Sequence, residues 1–133
     1  GQTSSLHLGL RALPAEADAV LVALADQPLL TTQDIRDLLD AFAARSPGTQ
    51  LLRPVVDGLP GNPVVFSREV ARAMLAGGPD TGGPQWQAAH PTQVCRWASG
   101  NRHYRVWPAW SPVPLGPSCR DWHLVDCKSS TAF

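Results

Sequence analysis

The chain has no excess of charge of either sign and little charge altogether. Its 133 residues include 11 basic and 11 acidic side chains, and charged residues make up only 17% of the chain. A dedicated nucleic-acid-binding protein carries a basic excess, so this balance argues against nucleic acid as a partner. The apolar fraction of 44% is too high for an intrinsically disordered chain. These figures fit one globular domain that can bury a core.

The sequence also lacks a long apolar run. Its longest uninterrupted aliphatic stretch is the seven-residue segment Ala19–Ala25, whereas a membrane-spanning helix needs about 20 such residues. No basic-then-apolar leader precedes this segment. The sequence therefore predicts neither a membrane partner nor a secretory route.

Cysteine is scarce, with Cys95, Cys119 and Cys127 as its three occurrences. An odd number in a chain of this size does not indicate a disulfide framework, and the expected compartment is the reducing cytoplasm. Cys119, His123 and Cys127 are spaced by four and could share a helix face. A fourth zinc ligand is not obvious in their proline-rich surroundings, so we expect free thiols there rather than a zinc site.

The alternation of apolar patterns predicts an α/β fold. The segment Ala19–Ala25 is apolar at every position, which is typical of a central strand covered on both faces, as in a parallel sheet between helices. A helix follows it after a short polar join, with the capping-box spacing at Thr31 and Asp34. The apolar face of that helix is formed by Ile35, Leu38, Leu39 and Phe42.

Beyond this helix the sequence alternates again and then changes character. Pro54 predicts that its strand lies at a sheet edge or a bulge. The further elements are expected at residues 4–13 and 67–76 as helices and at 51–56, 64–66, 94–97 and 104–107 as strands. From residue 107 onwards the sequence is rich in proline and tryptophan and shows neither the periodicity of a helix nor that of a strand. We therefore predict one domain over residues 1–106 and a divergent or disordered tail over residues 107–133.

A carboxylate at the end of the first predicted strand is the first candidate site residue. In open α/β sheets, ligands bind outside the carboxyl ends of the strands, which is where Asp26 is expected. One carboxylate there can hold Mg²⁺ against nucleotide phosphates, because Mg²⁺ prefers oxygen ligands and usually takes one or two carboxylates. The structural alternative is that Asp26 only caps or turns the chain.

Two glycine-containing segments are further candidates. Residues 1–5 form a small, hydroxyl-rich run that enters a helix, whose free N–H groups suit a phosphate or a nucleobase edge. An ordinary serine cap is the alternative there. Gly61 and Asn62 precede Pro63. The glycine allows close backbone approach to a ligand, and the Asn amide offers a donor and an acceptor. A simple turn between strands is the alternative for this segment.

Together these segments resemble the molybdenum cofactor cytidylyltransferases, and more broadly the nucleotidyltransferases that join a nucleotide to molybdopterin. The matching pieces fall within residues 1–106. The specific ones are Leu-Ala-Asp-Gln-Pro and Gly-Asn-Pro. In chain order the pieces are Gly1-Gln-Thr-Ser-Ser-Leu6, Leu24-Ala-Asp-Gln-Pro28, Gly61-Asn-Pro-Val-Val-Phe66 and Asp80-Thr-Gly82.

The resemblance implies a Rossmann-like α/β nucleotidyltransferase domain with a mostly parallel sheet and flanking helices, lacking its N-terminal part. It implies transfer of CMP from CTP to the phosphate of molybdopterin that carries molybdenum, with release of pyrophosphate. A molybdenum hydroxylase would then be the recipient of the matured cofactor.

The resemblance also implies roles for individual residues. Asp26 would ligate Mg²⁺ and would be the catalytic residue. The residues that line the base and ribose of the nucleotide would be Gly1, Thr3, Ser4 and Ser5. The residues near the pterin or the reacting phosphate would be Gly61 and Asn62.

The chain departs from the family pattern at both ends. Family members open with a strand and a Gly-rich loop whose Arg and Lys grip the triphosphate, and they carry an acidic stretch near the C-terminus. Neither occurs here, so we expect the isolated chain to turn over CTP poorly and to have an open apolar groove along its sheet. The alternatives are a non-catalytic truncated relic, a pterin-binding module, or a related nucleotidyltransferase that uses GTP or a sugar phosphate.

Overall fold

The computed structural model describes residues 2–25 and 27–106 of the chain. The predicted tail over residues 107–133 lies outside the described residues, and so do Gly1 and Asp26.

The described part of the chain contains four α-helices and five β-strands. Within it, no helix combines the length and the apolar character that crossing a membrane requires. Two short 3-10 turns lie at Pro91–Gln93 and Arg102–Tyr104. In chain order the main elements are α1 (Gln2–Ala12), β1 (Ala19–Val22), α2 (Thr32–Ala43), β2 (Leu51–Val56), β3 (Leu59–Pro60), β4 (Val64–Ser67), α3 (Arg68–Ala76), α4 (Gly83–Ala89) and β5 (Val94–Ala98).

The strands form one mixed sheet with flanking helices, which confirms the predicted α/β class. Its order is β1-β4-β2-β3, and β5 pairs in parallel with β2. Strands β1, β2 and β5 run in one direction, so the predicted parallel character holds for these three. The sheet is nevertheless mixed, because β4 lies between β1 and β2 and is antiparallel to both. The segment 57–63 before β4 is too short for the crossover of about a dozen residues that a parallel connection needs.

Strand β1 is shorter and less central than its apolar run suggested. It covers only Ala19–Val22, three of its four residues are half-buried, and within the described residues it pairs with β4 alone. The prediction of a central, fully buried strand at this place is therefore wrong. An apolar run without alternation indicates that both faces of a strand are buried, but it does not indicate whether the strand is central or at the edge of the sheet. The strand buried at all four positions is β4.

Pro54 lies inside the sheet rather than at its edge, which corrects the expectation for β2. On one side of β2, Leu51 and Leu52 pair with β4, whereas Val55 and Val56 pair with β3. Pro54 falls between these two pairings. A residue without a backbone N–H is tolerated there because β2 changes partners at that point.

Two apolar clusters cover the two faces of the sheet, because successive side chains of a strand point to opposite sides. Helices α1, α3 and α4 pack on one face, and α2 packs on the other. Cys95 is buried on the α2 face. The first cluster includes Leu10, Val20, Leu51, Val64, Phe66, Val70, Met74, Trp86 and Val94. The second contains Leu38, Phe42, Leu52, Val56, Val65, Cys95 and Tyr104.

Helix α2 begins as its sequence predicted. The Thr31 hydroxyl accepts from the Asp34 N–H at 3.1 Å, and the Thr31 N–H donates to the Asp34 carboxylate at 2.9 Å. Of the predicted apolar face, Leu38 and Phe42 are buried, whereas Leu39 is 41% exposed. Only the centre of the stripe faces the sheet.

The strand predicted over residues 104–107 does not form within its described part. Residues Arg102–Tyr104 make a 3-10 turn instead. The Asn101 side chain accepts from the His103 N–H at 3.0 Å, and the Tyr104 hydroxyl donates to the Asp34 carbonyl at 2.7 Å. These contacts fold the segment back onto α2, so it cannot extend along the sheet.

Candidate functional site

The candidate site lies at the edge of the sheet where β1, β2 and β5 end. Strand β4 begins at this edge, because Val22 is paired with Val64. The turn before β4 and the segment 101–105 after β5 meet there through hydrogen bonds. This is the edge at which open α/β sheets bind ligands.

Gly61 is the point of closest backbone approach at this edge. Its N–H donates to the Pro54 carbonyl at 2.7 Å, and its carbonyl accepts from Arg53 Nε at 3.0 Å. A Cβ added at Gly61 would overlap the carbonyl oxygen of Tyr104. Only glycine fits here. The sequence predicted close approach of a ligand to this backbone, whereas the neighbour in the structure is the backbone of the chain itself.

Asn62 is held through its backbone and presents its side chain. Its N–H donates to the Tyr104 carbonyl at 2.9 Å, and its carbonyl accepts from Gln27 Nε2 at 2.9 Å. The peptide bond to Pro63 is cis. The Asn62 carboxamide makes no hydrogen bond to the described residues, and it lines the groove described below. Its donor and acceptor are therefore available to a ligand.

Gln27 holds this turn in place through hydrogen bonds from its side chain. The sequence did not predict it as a site residue. Its side chain is buried, and Nε2 lies 2.9 Å from the carbonyl of Asn62, 3.4 Å from that of Tyr104 and 3.5 Å from that of Arg105. Three carbonyl acceptors require a donor, which fixes the orientation of the amide. Its Oε1 has no partner among the described residues. Gln27 lies in the Leu-Ala-Asp-Gln-Pro motif, but the motif does not reveal these contacts, because they join it to carbonyl groups that are remote along the chain.

A groove of about 830 Å³ runs between α1 and β1 and reaches Asn62. Its size is within the range of small-molecule sites, about 300–1,000 Å³. Thr3 and Ser5 of α1 line it together with Asn62, and most of its other lining residues are apolar. The structure thus has the open apolar groove that the sequence predicted.

Helix α1 begins at Gln2, so the hydroxyl-rich run belongs to the helix rather than to a loop before it. Thr3 and Ser5 line the groove, whereas Ser4 does not. Ser4 and Ser5 are both exposed. The structure brings Thr3, Ser5 and Asn62 together and leaves Ser4 aside.

A polar cluster around Asp34 braces the same edge. The buried carboxylate accepts from the Thr31 N–H, from Asn101 Nδ2 at 2.7 Å and from His103 Nδ1 at 2.8 Å. Burial alone would raise the pKa of the Asp34 carboxyl, and the hydrogen bonds from Thr31, His103 and Asn101 outweigh it, so this pKa lies below its ordinary value. Asn101 and His103 carried no sequence signal, because they are far from Asp34 along the chain.

Tyr104 connects this cluster to the turn. Its hydroxyl bonds to the Asp34 carbonyl, and its own carbonyl accepts from the Asn62 N–H. Burial, together with the nearby carboxylates of Asp34 and Asp37, raises the pKa of Tyr104 to about 12. The phenol is therefore a neutral structural donor that holds the segment against which Asn62 is placed.

The structure is an α/β domain with a candidate site at the carboxyl edge of its sheet, which is where nucleotide-binding α/β domains bind their ligands. The family model of the MobA-like NTP transferase domain matches residues 1–94. The chain therefore belongs to the MobA-like NTP transferase family, whose reaction is nucleotidyl transfer from a nucleoside triphosphate. No curated protein shows a significant match to the chain.

Proposed function

We propose that this domain transfers CMP from CTP to the phosphate of molybdenum-carrying molybdopterin, in the cytoplasm, for delivery to a molybdenum hydroxylase. Family membership supports nucleotidyl transfer in general. The choice of CTP and molybdopterin is supported by the Leu-Ala-Asp-Gln-Pro and Gly-Asn-Pro motifs. The observation that carries the proposal is the groove itself, which Thr3 and Ser5 from one motif share with Asn62 from another.

The reaction is an in-line displacement at phosphorus. An oxygen of the molybdopterin phosphate attacks the α-phosphorus of CTP and forms the new P–O–P bond. The bond between the α-phosphorus and the oxygen bridging to the β-phosphate breaks, and pyrophosphate leaves with that electron pair. Such chemistry asks the protein for alignment and for neutralisation of charge, not for a covalent intermediate.

Within this proposal the groove residues bind and orient the two substrates. Thr3 and Ser5 offer hydroxyl groups to the base and ribose, and Asn62 offers its carboxamide to the pterin or the reacting phosphate. Gly61 keeps Asn62 in place. Ser4 receives no role, and Gly1 remains a prediction for the nucleotide side.

Mg²⁺ is the metal that the family implies, and the donor chemistry fits it. In the described ranges there is no cluster of three or more His, Cys, Asp or Glu side chains that could hold a metal ion. Mg²⁺ does not need one, because it usually keeps several waters and binds one or two carboxylates together with substrate phosphates. Asp26 would be the carboxylate, and Gln27 beside it in the chain offers a buried amide oxygen. Bound Mg²⁺ would neutralise charge on the triphosphate.

The test is pyrophosphate release from CTP, Mg²⁺ and molybdenum-loaded molybdopterin, with GTP and ATP as competitors. We expect slow turnover by the isolated chain. We expect Asp26→Asn to lower kcat/KM by about 100-fold, equal to about 3 kcal/mol of transition-state stabilisation, with little change in Tm. Asp18→Asn is the matched control, because Asp18 is exposed and lies at the opposite end of β1.

Three results would contradict the proposal in different ways. A preference for GTP would refute the choice of nucleotide. Binding of the pterin without any transfer would favour a binding module. If Asp26 is only a structural cap, Asp26→Asn should lower stability by about 1 kcal/mol while activity survives.

A further inference from the structure

His7 is a buried polar side chain of helix α1 to which the proposed reaction assigns no role. It is 4% exposed, and it is not among the described residues that line the groove. Its Nε2 lies 2.7 Å from the Thr81 carbonyl oxygen, 74 residues away along the chain. A carbonyl oxygen only accepts, so Nε2 carries the hydrogen and donates it. This bond fixes α1 against the segment that follows α3.

The Thr81 carbonyl is a well-placed acceptor, because the loop that carries it is tied to the end of α3. The Thr81 hydroxyl donates to the Gly77 carbonyl at 2.7 Å, and the Thr81 N–H donates to the Gly78 carbonyl at 3.1 Å. A Cβ added at Gly77 would lie only 2.6 Å from Thr81 Oγ1, so the loop is tightly packed at this point. His7 therefore joins α1 to a braced part of the chain.

The same loop meets α1 one helical turn earlier, at Thr3. Thr3 and His7 are four residues apart in α1, so their side chains are neighbours on one face of the helix. A Cβ added at Gly82 would lie 3.2 Å from Thr3 Oγ1, which places the Gly82 backbone beside the Thr3 hydroxyl. Both Thr3 and Gly82 line the groove. The bond from His7 to Thr81 thus holds the Thr3 hydroxyl in its position at the groove wall.

We propose that His7 is a positioning residue for nucleotide binding, which keeps the Thr3 hydroxyl where it meets the base or the ribose. The inference rests on the proposed function for the role of Thr3, but not for the choice of CTP or of the acceptor. His7 itself touches no substrate and acts through Thr3. The segment Asp80-Thr-Gly82, to which the proposed reaction assigns no role, then serves as the support of α1.

The test is the Kd of CTP, GTP and ATP, each with Mg²⁺, measured calorimetrically on the full 133-residue chain and compared for the nucleotide that binds most tightly. His7→Leu removes the donor, and we expect it to raise that Kd by about tenfold, equivalent to the loss of one hydrogen bond from a misplaced hydroxyl group. His7→Gln should restore the affinity, because glutamine Nε2 is as many bonds from Cβ as histidine Nε2 and can donate to Thr81.

His90→Leu is the matched control. His90 Nδ1 also lies within hydrogen-bond distance of a backbone carbonyl, that of Trp86 at 2.9 Å. This contact lies within one turn at the end of α4, and His90 is not among the described residues that line the groove. We expect its Kd to equal that of the unmodified chain.

A double-mutant cycle separates positioning from overall stability. In a Thr3→Val background the hydroxyl group is absent, so His7→Leu should have little further effect on the Kd. Additive effects of the two substitutions would overturn the proposal. So would a His7→Leu variant whose Tm falls while its Kd stays unchanged, since that is the result of a purely structural histidine. Should His7→Leu fail to fold, His7→Asn replaces it, because its shorter amide cannot reach Thr81, and an unchanged Kd there is equally contrary.

Transfer of CMP to molybdenum-loaded molybdopterin tests the proposed function separately. Nucleotide binding that depends on His7, without any such transfer, would support the positioning role and reject the proposed function. Transfer of CMP by a chain whose Kd for CTP is unchanged by His7→Leu would do the reverse. A chain that binds none of the three nucleotides would reject both.

Discussion

Replacing Gly61 with alanine should destabilise the domain by disrupting the turn that presents Asn62. The added Cβ overlaps the Tyr104 carbonyl oxygen and would lie 3.2 Å from the Tyr104 carbonyl carbon and 3.4 Å from the Pro54 carbonyl oxygen. All three are backbone atoms, so no side-chain rotation can relieve the overlap. Either the turn or the segment 101–105 must move.

That movement breaks two backbone hydrogen bonds at the turn. They are the bond from the Gly61 N–H to Pro54 and the bond from the Asn62 N–H to Tyr104. At about 1 kcal/mol net for each bond, the expected loss is about 2 kcal/mol. For a domain of this size that lowers Tm by about 8 °C, at about 4 °C per kcal/mol.

Thermal unfolding followed by circular dichroism measures this effect. Gly100→Ala is the matched control, because Gly100 is exposed at the same edge of the sheet and a Cβ there meets no atom within 4 Å. We expect its Tm to stay the same or rise slightly, because alanine restricts the unfolded chain. Equal Tm values for Gly61→Ala and the unmodified chain would refute the close approach of Gly61 to Tyr104.

Two further predictions concern ionisable groups at the same edge. Because the pKa of Asp34 is lowered on folding, its contribution to stability is present above the ordinary value of 3.8 and is lost as pH falls through the lower folded value. Asp34→Asn should therefore lower the free energy of unfolding by about 1–3 kcal/mol near neutral pH, and this difference should shrink in acid. Denaturant unfolding at several pH values measures it. A difference that does not change with pH would show that the carboxylate is not ionised in the folded protein. Tyr104 is the single tyrosine of the chain, so the ultraviolet absorbance of phenolate reports it alone. Its titration should have a midpoint of about 12 rather than 10.0, and a midpoint at the ordinary value would show an accessible hydroxyl.

Secondary-structure elements that depend on a few neighbouring residues were predictable from the sequence. The capping box of α2 and the strand over residues 51–56 are of this kind, and both are found where they were expected. The place of β1 in the sheet was not predictable, because burial of a run does not say which strands are its neighbours. The expectation that Pro54 marks a sheet edge or a bulge was wrong for a related reason. A proline inside the sheet is tolerated there because β2 changes its pairing partner at that point, which the sequence does not show.

Some residues of the candidate site were likewise predictable from the sequence, and others were not. Asn62 could be predicted because glycine, amide and proline in sequence already suggest a fixed turn with a free side chain. Gln27 and Arg53 could not be assigned, because their roles depend on carbonyl groups brought to them by folding. The contact between Gln27 and Asn62 spans 35 residues, and no spacing in the sequence records it. Asp26 stays a prediction.

The bonding of the Gly61–Asn62 turn has a consequence for folding cooperativity. Its partners come from Gln27, from β2 and from Tyr104, which are remote along the chain. The turn can therefore form only after these parts have assembled, and local opening of any one of them should release it. The family match ends at residue 94, whereas the turn depends on Tyr104. A chain cut at the end of that match would keep β1 to β4 but lose most of β5 and the Tyr104 carbonyl that anchors Asn62.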